Sequence, residues 1–91
     1  MELGKALRAI RTFHNISLGQ LAVSLDVSKS YLSEVESGKK PATISVAEKY
    51  ADHFDLPLSS IIELAEKLGN KSKLPKHKQL IAKLIEWVSE D

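Results

Sequence analysis

A run of polar side chains between residues 29 and 37 has the types and the spacing to form hydrogen bonds with another molecule. Lysine donates hydrogen bonds, glutamate accepts them and serine does both. The run contains Lys29, Ser30, Tyr31, Ser33, Glu34 and Ser37. Only Leu32 and Val35 form an inward apolar stripe, whereas a structural helix of this length normally buries more. The edges of DNA bases in the major groove present a matching pattern of donors and acceptors.

Catalytic and metal-binding chemistry finds little support elsewhere in the sequence. His14, His53 and His77 are far apart, and none has a second ligand at a metal-binding spacing. Ser59 and Ser60 lack the glycines of a nucleophile elbow. The chain has no cysteine and no glycine-rich phosphate loop. We therefore predict no catalytic residue, no metal, no cofactor and no enzyme activity.

The composition is that of a globular chain of one domain, with room for an appended element. The net charge of the 91 residues is +1, so DNA binding would depend on a local patch rather than on overall charge. The N-terminus carries an early acid, Glu2, and no long apolar run, which argues against a signal peptide. No stretch approaches the ~18 apolar residues of a membrane span. These features predict a cytoplasmic protein.

Apolar residues recur at helical spacing and strand-like alternation is absent, which predicts an all-α fold. Five helices are expected over about 2–13, 17–25, 28–37, 44–54 and 58–68. Thr43 is expected to cap the fourth helix and Gly69 to follow the fifth. The apolar spacing that predicts the fourth helix is formed by Ile44, Ala47, Tyr50, Ala51 and Phe54. We divide the chain into a domain over 1–69 and a linker with a sixth helix over 70–91.

The second and third helices have sharp start signals. Ser17 and Gln20 form a capping box, and Ser28 can cap the third helix. Only Asp26 and Val27 lie between the two helices, and aspartate tolerates the positive φ that such a tight turn needs. A plain helical hairpin would share this geometry. The polar surface of the third helix favours a helix-turn-helix that binds DNA.

Residues 16–41 resemble the XRE family, the helix-turn-helix regulators typified by phage Cro and lambda-type repressors. The matching segments are ISLGQLA over 16–22, LDVSKSYLS over 25–33 and VESGKKP over 35–41. Ala22 is typical of the family, because the two helices cross closely there. The five-helix order extends the likeness to about Leu68. The resemblance implies a lambda-repressor-like DNA-binding domain of five helices, followed here by an additional C-terminal helix.

The resemblance also implies roles by position. The third helix would lie in the major groove with its first half toward the bases. The usual base-contacting positions are occupied by Lys29, Ser30, Ser33 and Glu34. Contacts with phosphate, or contacts of uncertain type, are implied for Ser17, Leu18, Tyr31, Lys39 and Lys40. Leu18 stands where the family often has glutamine, so the phosphate contact expected there comes from backbone N–H groups.

Arg11 and Glu36 are candidates for a structural ion pair. In similar family members an arginine late in the first helix pairs with a glutamate late in the third. Both residues are present here at matching positions. Such a pair would hold the third helix against the first. The alternative is two solvated surface charges that contribute little.

The sixth helix carries a broad apolar stripe. Its members are Leu80, Ile81, Leu84, Ile85, Trp87 and Val88. A stripe of this size suggests a dimer interface, although it could also fold back on its own domain. Lysines near the start of the segment and acids near its end would favour antiparallel pairing of two copies.

These observations predict a homodimeric, sequence-specific regulator of transcription, acting as a repressor on a double-stranded DNA operator. The alternative is a protein-interaction module or antitoxin-like protein. In that case the C-terminal helix would bind another protein, such as a toxin or an antagonist.

Overall fold

The structure is a computed structural model that describes residues 2–69, in which five α-helices follow one another with no strand between them. The helices are α1 (Leu3–Phe13), α2 (Leu18–Leu25), α3 (Lys29–Ser37), α4 (Ile44–Phe54) and α5 (Leu58–Gly69). The predicted all-α fold is confirmed. The predicted sixth helix, and with it the apolar stripe assigned to the dimer interface, lies outside the described residues.

Side-chain caps fix where three of the helices begin. Ser17 and Gln20 form the predicted capping box at α2, with both hydrogen bonds at 3.1 Å. The hydroxyls of Ser28 and Thr43 each accept a hydrogen bond from the backbone N–H three residues later. Each cap satisfies a donor that the helix itself leaves unpaired. The starts of α2, α3 and α4 are therefore determined by local sequence.

The turn between α2 and α3 is short because one residue reverses the backbone. Asp26 adopts the left-handed conformation, with φ 57° and ψ 46°, as the sequence predicts. The Val27 N–H donates to the Ala22 carbonyl at 3.0 Å and closes the end of α2. Consequently α2 ends at Leu25, and α3 begins only four residues later, at Lys29.

The core contains at least one fully buried side chain from each helix. The largest of these are Leu7, Leu21, Leu32, Val35, Tyr50 and Ile61. α1 packs most extensively against α5 and also contacts α3, so the N-terminal helix links the end of the domain to the helix-turn-helix. The Glu2 N–H donates to the Ala65 carbonyl at 3.0 Å, which adds a backbone link between α1 and α5.

Two residues lie differently from what the sequence suggests. Ile44 belongs to the apolar spacing that predicts α4, but it is 51% exposed, and Val46 is buried instead. Helical side chains lean toward the N-terminus, so the side chain of a first residue extends past the end of its helix. Gly69 is the last residue of α5 rather than the residue after it. Glycine can continue a helix, at a cost, as well as end one.

Gly4 allows α1 and α3 to approach closely. A Cβ atom at this position would lie 2.5 Å from the carbonyl oxygen of Val35. Real Cβ atoms do not come so near to a backbone oxygen, and the α3 backbone cannot rotate away as a side chain can. The absence of a side chain at Gly4 thus sets the distance between α1 and α3.

We predict that Gly4→Ala destabilises the protein by about 1–3 kcal/mol, because the added methyl group must push α3 away from α1. Gly19→Ala is a matched control, since both glycines are the second residue of a helix. A Cβ at Gly19 meets nothing closer than the Lys29 side chain at 3.9 Å. The control should leave stability unchanged or raise it by less than about 1 kcal/mol, the upper value for glycine to alanine in the middle of a helix. Chemical denaturation measures both changes, and equal effects of the two variants would contradict the prediction.

Candidate nucleic-acid interface

The outward face of α3 presents polar side chains to solvent. Lys29, Ser30 and Ser33 are exposed, and the Glu34 side chain is 41% exposed. Leu32 and Val35 are fully buried on the opposite face. The structure thus brings the four residues expected to contact bases together on one face of a helix. That face can donate and accept hydrogen bonds over its whole length.

The capping box determines which backbone N–H groups at the start of α2 remain available to a phosphate. The Ser17 N–H donates to the Gln20 side chain, and the Gln20 N–H donates to the Ser17 hydroxyl. The N–H groups of Leu18 and Gly19 have no hydrogen-bond partner among the described residues. These two donors, rather than that of Ser17, are available to an anion at the positive end of the helix.

Arg8 was not predicted from the sequence as a site residue. It lines a cavity of about 290 Å³ together with Ser37, Ser33 and Leu18, the first residue of α2. Arg8 is exposed and adds a positive charge to the lining of this cavity. Its position one helical turn before Arg11 was the available signal, because residues three apart share a face of a helix.

Lys39 and Lys40 follow α3 and are both exposed. Lys40 lies against the outward face of α3, because its Nζ atom is 3.7 Å from a carboxylate oxygen of Glu34. The same atom lies 5.6 Å from the ring centre of Tyr31, within the range of a cation–π contact. Lys39 has no such contact within the described residues. Two adjacent lysines therefore have different surroundings.

An ion pair between Arg11 and Glu36 connects α1 to α3. The Arg11 Nε atom donates to both carboxylate oxygens, at 3.1 and 3.0 Å, and Nη2 donates to Oε1 at 3.0 Å. The side chains of Arg11 and Glu36 are 13% and 5% exposed. Arg11 also donates through Nη1 to the Ile16 carbonyl at 2.9 Å, which ties in the connection to α2.

Tyr50 extends this ion pair to α4. Its hydroxyl donates to Oε2 of Glu36 at 2.6 Å, and its ring is fully buried. Burial, together with the hydrogen bond to the Glu36 carboxylate, raises the pKa of Tyr50 well above its ordinary value. The hydroxyl therefore stays protonated and keeps its role as a donor. No buried side-chain nitrogen or oxygen among the described residues lacks a hydrogen bond.

The histidines of the described residues pack against an aromatic ring. The rings of His14 and His53 lie 4.5 and 4.8 Å from that of Phe54, and His14 Nδ1 lies 2.8 Å from the Ile10 carbonyl. Within residues 2–69 no group of three potential ligands is placed to hold a metal ion. The same residues include no helix with the length and apolar character to span a membrane.

A capped helix, a turn through one left-handed residue and a second helix with a polar outward face define a helix-turn-helix protein. The sequence pattern of the family described as Helix-turn-helix matches residues 7–61. The chain accordingly belongs to the XRE-type helix-turn-helix family of DNA-binding transcriptional regulators.

Individual relatives carry names consistent with this family. The chain is 33% identical over 76 residues to a competence pilus inhibition repressor of Acinetobacter baylyi, covering 84% of this chain and 69% of that protein. It is 28% identical over 93 residues to an immunity repressor protein of Bacillus phage phi105, covering 100% of this chain and 65% of that protein.

A third relative is much longer. The chain is 41% identical over 61 residues to a protein of Methanocella arvoryzae that is named as an HTH-type transcriptional regulatory protein. The match covers 67% of this chain but only 18% of that protein. No solved structure matches the chain.

We predict that Arg11→Met and Glu36→Gln each destabilise the protein by about 3–5 kcal/mol, because each leaves a buried charge without its partner. The double variant should cost less than the sum of the two single variants, since it leaves no such charge. A double-mutant cycle of unfolding free energies measures the coupling between the two residues. A coupling energy of zero would show that the ion pair does not contribute to stability.

Tyr50→Phe tests the hydrogen bond from Tyr50 to Glu36 with a smaller change, because it removes a hydroxyl and keeps the ring in the core. The expected cost is about 1.5–3 kcal/mol, as for a hydrogen bond to a charged group. Tyr31→Phe is the control, since the Tyr31 hydroxyl has no hydrogen bond within the described residues. The control should change stability by less than about 0.5 kcal/mol.

Proposed function

We propose that this protein binds specific sequences in duplex DNA through α3 and represses transcription as a homodimer. The observation that carries the proposal is the outward face of α3. Its polar side chains are uncovered, while Leu32 and Val35 anchor the opposite face in the core. The names of the Acinetobacter and phage relatives support repression as the outcome of binding.

Each proposed base contact follows from the chemistry of the side chain. Lys29, in the first turn of α3, can donate to the O6 and N7 atoms of guanine. Glu34 can accept a hydrogen bond from the N4 amino group of cytosine. Ser30 and Ser33 can do either, so they suit several bases. These four residues lie within two turns of α3, which fits a binding site of a few base pairs for each protomer.

Two groups of phosphate contacts would fix the position of α3 in the groove. The first comprises the N–H groups of Leu18 and Gly19 together with Arg8, which lines the same cavity as Leu18. The second comprises Lys39 and Lys40, directly after the end of α3. Contacts with the backbone set register and orientation, and contacts with the bases set the sequence preference.

Dimerisation is proposed from sequence alone. One helix-turn-helix contacts few base pairs, and a two-fold pair places two such helices about one DNA turn apart. The apolar residues over 80–88 provide a suitable interface. The division of the chain after Gly69 into a DNA-binding domain and a dimerisation element belongs to the same proposal.

The experiment that tests the function is selection of bound duplexes from a random pool with the wild type, Glu34→Ala and Glu66→Ala. The wild type should select one motif, with binding that weakens as salt concentration rises. Glu34→Ala should lose about 1–3 kcal/mol of discrimination at one position of the motif, because it removes one acceptor. Glu66 is exposed on α5, which packs against α1 and α4, so its variant should select the wild-type motif.

Two results would contradict this proposal in different ways. A wild type that shows no salt-dependent binding to duplex DNA would favour the protein-interaction alternative. If Glu34→Ala weakens binding to all sequences equally, Glu34 does not contact a base.

We further predict that Leu84→Glu separates the dimer, because it places a charge in the proposed apolar interface. Gln79→Glu adds the same charge at a polar position of the same segment and should leave the dimer intact. Loss of the second half-site contact should weaken operator binding about 10²–10⁴-fold. Sedimentation gives the mass in solution and titration gives the affinity. A dimeric Leu84→Glu variant with wild-type affinity would place the interface elsewhere.

A further inference from the structure

The segment that follows α3 is hydrogen-bonded to the last turn of that helix. Gly38 adopts the left-handed conformation, with φ 87°, and turns the backbone. The Lys40 N–H then donates to the Glu34 carbonyl at 3.1 Å, and the Ser37 hydroxyl donates to the same carbonyl at 3.2 Å. This carbonyl is one of the last four of α3, which have no partner inside the helix. The position of Lys40 is thereby tied to that of Glu34.

The side chains of the same two residues also meet. Lys40 Nζ lies 3.7 Å from a Glu34 carboxylate oxygen and 5.6 Å from the Tyr31 ring centre. Tyr31 and Glu34 are three residues apart and share a face of α3. A backbone hydrogen bond, an ion pair and a cation–π contact therefore converge on one lysine. Lys39 takes part in none of these.

The ion pair contributes little to the stability of the free protein. The side chains of Lys40 and Glu34 are 52% and 41% exposed, and water screens a pair of this kind. Its effect grows when DNA excludes that water, because the local dielectric constant falls. A carboxylate in the groove is repelled by the phosphates on both sides. An ammonium group beside the carboxylate offsets that repulsion.

We infer that Lys40 determines base preference by acting through Glu34, in addition to any contact with phosphate. Its ammonium group orients the Glu34 carboxylate and neutralises its charge, which allows an acidic residue to contact a base. The inference rests on the proposed function and deepens it. Lys40 is a positioning residue for specificity, and Lys39 is a phosphate contact without influence on base preference.

The test compares Lys40→Met, Lys39→Met and Glu34→Ala by duplex selection and by affinity at several salt concentrations. Lys40→Met should reduce preference about fivefold or more at the position that Glu34→Ala changes, and at no other. Lys39→Met should weaken binding to every sequence equally and should lower the slope of log affinity against log salt by about one unit. Lys40→Met should lower that slope less, since Glu34 already balances its charge.

Two further variants separate specificity from a general structural effect. Lys40→Arg keeps the positive charge and should retain the wild-type preference. Lys40→Met combined with Glu34→Ala should show no loss at that position beyond the loss in Glu34→Ala alone. Thermal unfolding of each variant should match that of the wild type, because the pair is exposed.

An even loss of affinity in Lys40→Met, like that in Lys39→Met, would overturn the inference and leave the proposed function intact. A change in preference at a position that Glu34→Ala does not affect would overturn it as well. A wild type that selects no sequence would overturn the proposed function, and the inference with it.

Discussion

The interaction on which the rest of the structure depends is the buried contact between Glu36 and its two partners, Arg11 and Tyr50. Most of the surface of α3 is polar and uncovered, so this helix has few apolar side chains with which to bind the core. Leu32 and Val35 supply the apolar contact, and Glu36 supplies a directional one. Apolar burial is non-directional, whereas hydrogen bonds to a carboxylate specify an orientation. The Glu36 contacts consequently define the angle of α3 as well as its attachment.

The same contacts bring four parts of the chain into one arrangement. Arg11 belongs to α1 and also binds the carbonyl of Ile16, just before α2, while Tyr50 belongs to α4. The free N–H groups at the start of α2 and the polar face of α3 are thus positioned relative to one buried carboxylate. Gly4 contributes a second constraint of the same kind by setting how near α1 comes to α3.

Much of this fold could be predicted from the sequence because its signals are local. The caps at Ser17 and Ser28 and the turn at Asp26 each depend on residues within four positions of one another. The Tyr50 hydroxyl and the Lys40 ammonium could not be assigned in this way. Tyr50 had the spacing of a core residue, and nothing near it in the sequence indicates a partner in α3. In the sequence Lys40 is equivalent to Lys39, and only the folded backbone distinguishes them, because the Lys40 N–H donates to the Glu34 carbonyl.

The contact between α1 and α5 has a consequence for how the protein is made. Glu2 and Ala65 are joined by a backbone hydrogen bond, although they stand near opposite ends of the described chain. A chain still being synthesised lacks the main partner of α1 until α5 has left the ribosome. α1 in turn carries the arginine that fixes α3. The nascent chain therefore cannot complete the packing that positions α3 before α5 has emerged from the ribosome, by which time the other four helices have emerged.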